Sequence, residues 1–207
     1  MSNITLAPNA AGTATFTVAS PATNTNQVLT LPDATTTLVG TDATQTLTNK
    51  TLQGGSITSG TAIPSTSGTN IDFTGIPTWV KRITVMFSGV STNGTSLKIV
   101  QLGTSGGVII TNYASEGFSQ GGSSGVSTSG FVIGSSSAVG NSVYGSMIIS
   151  SFGGGIWSEQ FGISSGTNAM AGGGGLTGAG TIDRVRVTTL TGTDLFDAGT
   201  INITWEG

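Results

Sequence analysis

The 207-residue chain contains no cysteine and no histidine. The first absence excludes a disulfide framework and a thiolate zinc site. The second removes the commonest general base and the commonest metal ligand. Charge is scarce as well. Asp, Glu, Lys and Arg make up 7% of the residues, against roughly 25% in an ordinary soluble protein. Net charge is −3, and the basic residues Lys50, Lys81, Arg82, Lys98, Arg184 and Arg186 are scattered along the chain. No basic stripe is available for phosphate contacts, so no nucleic-acid partner is expected. Mean hydropathy is +0.22, yet no apolar run reaches the roughly 18 residues of a membrane helix, and no membrane insertion is expected. The opening MSNITLAPNAAG has neither a basic start nor an apolar core. A secretory signal is therefore not expected.

In place of charge the chain carries 34 glycines and long runs of Thr, Ser and Asn. Disordered chains combine high net charge with few β-formers. The present composition fits extracellular or particle-borne β-structure instead. In residues 1–40, TATFTV places Ala14, Phe16 and Val18 on one side and Thr13, Thr15 and Thr17 on the other. This period of two marks a half-buried strand. QVLTL and TTTLV follow, divided by the turn-like SPATNTN and PDA. One copy of this region offers too few apolar side chains to stand alone, whereas several copies around an axis could bury theirs. In residues 41–69, Leu47, Leu52, Ile57 and Ile63 recur every five or six positions within Thr, Gly and Ser. The composition permits a flexible linker. The recurrence suits a stalk shared by several chains, with a reach of about 95 Å when extended.

From residue 70 the signal strengthens. WVKRITVMFSGV sets Ile83, Val85 and Phe87 against Arg82, Thr84 and Met86. TSLKIVQLG, GVIITNY, GFVIG, SVYGSMIIS and IWSEQFGI follow, and TIDRVRVTTL and GTINITWEG close the chain, with Ile201, Ile203 and Trp205 on one face. Short strands between Gly- and Ser-rich turns, with no helical stripe, predict an all-β fold. Residues 70–207 are expected to form a jelly-roll-like β-sandwich behind a fibrous N-terminal region.

Few residues point to chemistry. GTSGG (103–107) and GGSSG (121–125) match G-x-S-x-G, but a nucleophilic serine needs a following helix and a histidine partner. GGGGLTG (172–178) contains G-x-G-x-x-G with a strand rather than a helix after it, and reads as a flexible loop. The carboxylates show no local pairing of the kind a glycosidase uses. Asp194 and Asp197 in GTDLFDAG could offer oxygens to calcium, but no further acidic ligand lies nearby and a hairpin turn is the simpler reading. Four Asn-x-Ser/Thr sequons, at Asn3, Asn49, Asn93 and Asn202, are chance matches in a Thr-rich chain. No catalytic residue, metal site or cofactor is expected. The aromatic residues remain. Trp79 and Trp205 lie in strand patterns and are assigned to the core. Tyr113, Glu116 and Phe118 in NYASEGFSQGG, and Trp157 and Glu159 in GGGIWSEQFG, combine rings with carboxylates in a manner suited to sugar contact; core packing is the competing role for Trp157 and Tyr113.

Two stretches carry a family resemblance. NQVLTLPDATTTLVG and TDATQTLTNKTL resemble a segment recurrent in the fibres of tailed bacteriophages. GIPTWVKRITVMFSGVSTNGTS and RVRVTTLTGTDLFDAGTINITWEG resemble a β-domain common at the C-terminal end of phage fibre-like proteins. The resemblance implies a structural protein located in the virion and commonly a homotrimer. Residues 1–40 would attach to other virion proteins, residues 41–69 would form the stalk, and residues 70–207 would meet host surface glycan. It carries over no catalytic residue. A head fibre or capsid decoration protein with a structural role only is the alternative, and a polysaccharide depolymerase is a third, disfavoured by the missing histidine and unpaired carboxylates.

Overall fold

Strand β4 (Arg82–Thr92) shows how the sequence dictates the architecture. Its alternation buries Ile83, Val85 and Phe87 and turns Arg82 outward, as the pattern predicts. The computed structural model describes residues 57–207 except Ser136, together with Ala11, Ala22, Thr23, Thr25 and Asn26. The chain divides into two compact units, Met1–Lys50 and Thr51–Gly207. In the first, the Thr25 amide donates to Thr23 Oγ1 (3.1 Å) within the predicted SPATNTN turn. The predicted strands of residues 1–40, and Leu47 and Leu52 of the predicted stalk, lie outside the described residues.

The second unit is all-β, with no helix among the described residues. In chain order the remaining strands are β1 (Thr58–Ser59), β2 (Ile63–Pro64), β3 (Ile71–Thr74), β5 (Lys98–Thr104), β6 (Gly107–Val108), β7 (Tyr113–Ser119), β8 (Ser124–Ser127), β9 (Phe131–Val132), β10 (Val143–Gly153), β11 (Ile156–Ser165), β12 (Asn168–Leu176), β13 (Arg184–Thr189) and β14 (Phe196–Glu206). They form two antiparallel sheets. The larger has the order β1-β14-β4-β10-β11-β12-β7-β8, with β2 also on β14; the smaller has the order β3-β13-β5-β6, with β9 also on β5.

The winding is nested. β2 lies beside β14 in the large sheet, β3 beside β13 in the small sheet, β4 beside β10 in the large sheet, and β5 beside β9 in the small sheet. Successive pairs thus alternate between sheets from the outside of the sequence inward, which is jelly-roll topology. Two hairpins are added to this frame. β7–β8 and β11–β12 leave the jelly roll and extend its large sheet beyond β10. Between the sheets lies one apolar core, with Phe131, Phe196, Ile99, Leu102, Met147, Ile149 and Leu176 fully enclosed.

Three expectations are corrected. The sandwich begins near residue 58 rather than 70, because β1 and β2 hydrogen-bond along β14 and cover its edge. Ile63 therefore packs against the core instead of serving a stalk, and the buried Ser65 donates its hydroxyl to Ala198 O (2.9 Å). Ile57 is 62% exposed at the start of this segment. GGGGLTG is no loop at Gly172–Gly175, which form the middle of β12 between β11 and β7. The reason is Phe161 on β11. A Cβ on Gly172 would fall 2.4 Å from its Cε1, and one on Gly117 of β7 would fall 2.8 Å from its Cζ. One ring fills the space of two missing side chains, so these glycines serve packing. Finally, Trp79 is 49% exposed, whereas Trp205 packs against the core. Trp79 sits in the turn closed by Val80 N donating to Pro77 O (3.1 Å), just before β4 begins.

Candidate functional site

The five aromatic and acidic residues singled out by sequence do not form one surface. Tyr113, Trp157 and Glu159 are buried between the sheets. Glu116 and Phe118 are exposed on the outer face of the large sheet. Core packing, the competing role given to Tyr113 and Trp157, is the one observed, and the sugar contacts proposed at Tyr113, Trp157 and Glu159 are corrected. Tyr113 Oη accepts the amide proton of Leu102 (2.8 Å) and so links β7 to β5 in the opposite sheet. Its ring meets Phe131 edge to face, with centroids 4.9 Å apart. Burial raises the Tyr113 phenol well above its ordinary range.

Glu159 is the unusual member of this interior. It projects inward from β11, and Gly174, its partner on β12, places no side chain between it and Ser115 on β7. Ser115 Oγ donates to Glu159 Oε1 (2.9 Å) and accepts the Val132 amide of β9 (3.0 Å). Glu159 Oε2 has no hydrogen-bond partner. Burial of a carboxyl disfavours its charged form. It pushes Glu159 up to about 7, against the smaller opposing effect of the Ser115 hydroxyl. This short relay ties β11 and β7 to β9 across the sandwich.

The outer face is built by strand register. Val126 on β8, Glu116 on β7, Gly173 on β12, Gln160 on β11 and Ile148 on β10 form one cross-strand row. Phe118 lies in the next row, between Ser124 and Ala171. Phe118 is 57% exposed and Val126 63%. Gly173 leaves Glu116 and Gln160 without a side chain between them. Glu116, Val126, Thr128 and Leu190 line an open pocket of about 570 Å³ at this edge. The arrangement offers an apolar ring, an amide and a carboxylate on an exposed, weakly charged sheet face. Sequence reasoning found Glu116 and Phe118, met Gln160 only as a neighbour of Trp157 and Glu159, and missed Val126. The alternation of β11 was the available signal for Gln160, and that of β8 for Val126.

Where β4 ends and β14 begins, polar groups interlock the strands and the loops beside them. Asp194 Oδ2 accepts the Ser96 amide (2.9 Å), Asn93 Oδ1 accepts the Leu195 amide (2.9 Å), and Asp197 accepts the Ser91 hydroxyl. Lys98 is buried and donates to Ser137 Oγ (3.1 Å). Its pKa is lowered by burial, which outweighs the opposing pull of Asp197 and Asp194. Among the described residues no group of three or more side chains is arranged to hold a metal ion. Ser105 and Ser123 of the G-x-S-x-G matches fall in the β5–β6 and β7–β8 connections, with strands on both sides. Comparison with protein-family models, with curated proteins and with solved structures gives no match for this chain.

Proposed function

We propose that the chain is a structural protein of a tailed-bacteriophage virion, a tail-fibre-type adhesin whose β-domain contacts the host surface. The resemblance of TDATQTLTNKTL to phage-fibre segments supports the virion assignment. The observation that carries the contact role is the extension of the large sheet. β11, β12, β7 and β8 stand outside the nested jelly-roll pairs, and they present Phe118, Val126, Gln160 and Glu116 together on an open face. Such a shallow surface binds weakly in one copy, and a homotrimer gains affinity through repeated contacts. Residues 1–40 are assigned to virion attachment and the threonine-rich segment up to Ser56 to the trimeric stalk.

The test is binding of labelled full-length protein to host cells, with competition by their purified surface glycan. Saturable binding lost on competition is expected. A trimer that binds no host cell contradicts the adhesin role. Burial of three of the five candidate contact residues favours a second reading, a head fibre or capsid decoration protein. Copy number separates the two, since tail fibres occur in small multiples and decorations follow capsid symmetry.

A further inference from the structure

We propose that a pocket at the β10–β11 turn binds one anionic sugar unit, with a carboxylate or phosphate substituent held by Lys81. This pocket is distinct from the Glu116 surface. Its volume is about 340 Å³, at the small end of the range of about 300–1,000 Å³ for ligand pockets. The floor is apolar, formed by the buried Ile76, Val80, Trp157 and Ile182. The polar part of the lining comes from Thr78, Thr181 and Lys81, and from Ser151, whose Oγ accepts the Gly153 amide (3.1 Å).

The turn that frames the rim is fixed by its backbone. Gly153, Gly154 and Gly155 have φ of +86°, +61° and +78°, a left-handed run that side-chain-bearing residues avoid. A Cβ on Gly155 would lie 2.2 Å from Ala179 O, and Ala179 N donates to Gly155 O (2.9 Å). The turn is thereby bound to the loop that carries Thr181. At Gly153 and Gly154 a Cβ would meet nothing within 4 Å, so this part of the rim is bare backbone. Phe152, just before the glycines, is 78% exposed, the highest value among the described large apolar side chains.

Charge selects the ligand class. Arg82 pairs with Glu206 (3.0 Å), Arg184 with Asp183 (2.7 Å) and Arg186 with Asp72 (2.7 Å). Lys98 is buried. Lys81 is the one exposed cation among the described residues without a carboxylate partner. Its backbone is held on both sides, Lys81 N donating to Glu206 O (2.9 Å) and Lys81 O accepting from Ser151 N (2.8 Å). A single unpaired cation on a fixed backbone suits one negative group. The threonines of the lining suit sugar hydroxyls.

The ligand class rests on the adhesin reading; the pocket and its unpaired lysine do not. Full-length protein would be titrated with methyl glucuronide, glucose 6-phosphate, methyl glucoside and inorganic phosphate. Tryptophan emission, with Trp157 in the floor, and ligand-observed NMR would report binding. At least one charged sugar is expected to bind with a dissociation constant of about 1 mM, at least tenfold tighter than methyl glucoside. The two charged sugars distinguish carboxylate from phosphate recognition. Lys81→Gln should abolish the preference for charge, and Phe152→Ala, outside the pocket lining, should leave sugar binding unchanged. Neither change removes a buried side chain. No saturable response to a charged sugar, an unaltered preference in Lys81→Gln, or inorganic phosphate binding as well as the sugars would overturn the proposal. Cell binding separates the two claims. If wild type binds host cells but shows no saturable response to a charged sugar, the adhesin stands and the pocket assignment falls. If wild type binds no cells but selects charged sugars through Lys81, the pocket stands and the adhesin falls.

Discussion

Replacing Glu159 by glutamine should make the domain more stable at alkaline pH and leave it nearly unchanged in mild acid. Glu159 is buried, its Oε2 has no partner, and burial raises its pKa from 4.5 to about 7. In the unfolded chain the carboxyl ionises near 4.5, so the folded state holds the proton more tightly. Stability from this group is complete below about pH 4.5, declines as pH rises, and is lost once pH passes the folded value near 7. A shift of about 2.5 units at 1.36 kcal/mol each corresponds to roughly 3 kcal/mol. Glutamine keeps the oxygen that accepts from Ser115 and cannot ionise. Urea unfolding of both proteins at unit steps from pH 5 to pH 8 isolates the effect, because the other titrating groups cancel in the difference. The variant should gain on wild type by roughly 2–3 kcal/mol across that range. A constant difference at every pH would refute the reasoning and show that Glu159 titrates normally in the fold.

Gly172→Ala should cost about 1–3 kcal/mol, because its Cβ would fall 2.4 Å from Phe161 Cε1 and 2.3 Å from Glu116 O. Gly173→Ala, on the outer face, should change the denaturation midpoint far less; equal losses would contradict the packing role given to Phe161. Tyr113→Phe leaves the buried Leu102 amide without its acceptor, and calorimetry should register a loss of about 1–3 kcal/mol. A chain beginning at Ile57 should melt cooperatively, whereas one beginning at Asn70 lacks β1 and β2, bares the β14 edge and should aggregate. Identical melting of the two would restore the boundary at residue 70. Light scattering of the full-length protein should give three times 20.5 kDa; a single-chain mass would remove the shared stalk.

Strands that alternate against the core could be read directly from the sequence. β4 and β14 were, because Ile83, Val85, Phe87, Ile201 and Ile203 repeat at period two and all turn inward. β12 could not be, since the ring that justifies its glycines belongs to Phe161 on another strand. β1 and β2 look like linker because their order comes from the free edge of β14 rather than from their own side chains. The candidate site was half legible. Residues 113 and 118 differ by an odd number within one strand, so Tyr113 and Phe118 must face opposite sides. Trp157, Glu159 and Phe161 share one parity and all are buried. Which parity faces inward depends on the partner strands, and no local pattern supplies that.

The virion-adhesin account is tested most directly by gold-labelled antibody against residues 57–207, applied to virions from lysates in which the chain is made. Label at the distal end of the tail, with antibody-treated virions failing to adsorb to host cells, is the expected result. Label spread over the head shell, or virions free of label, would contradict it.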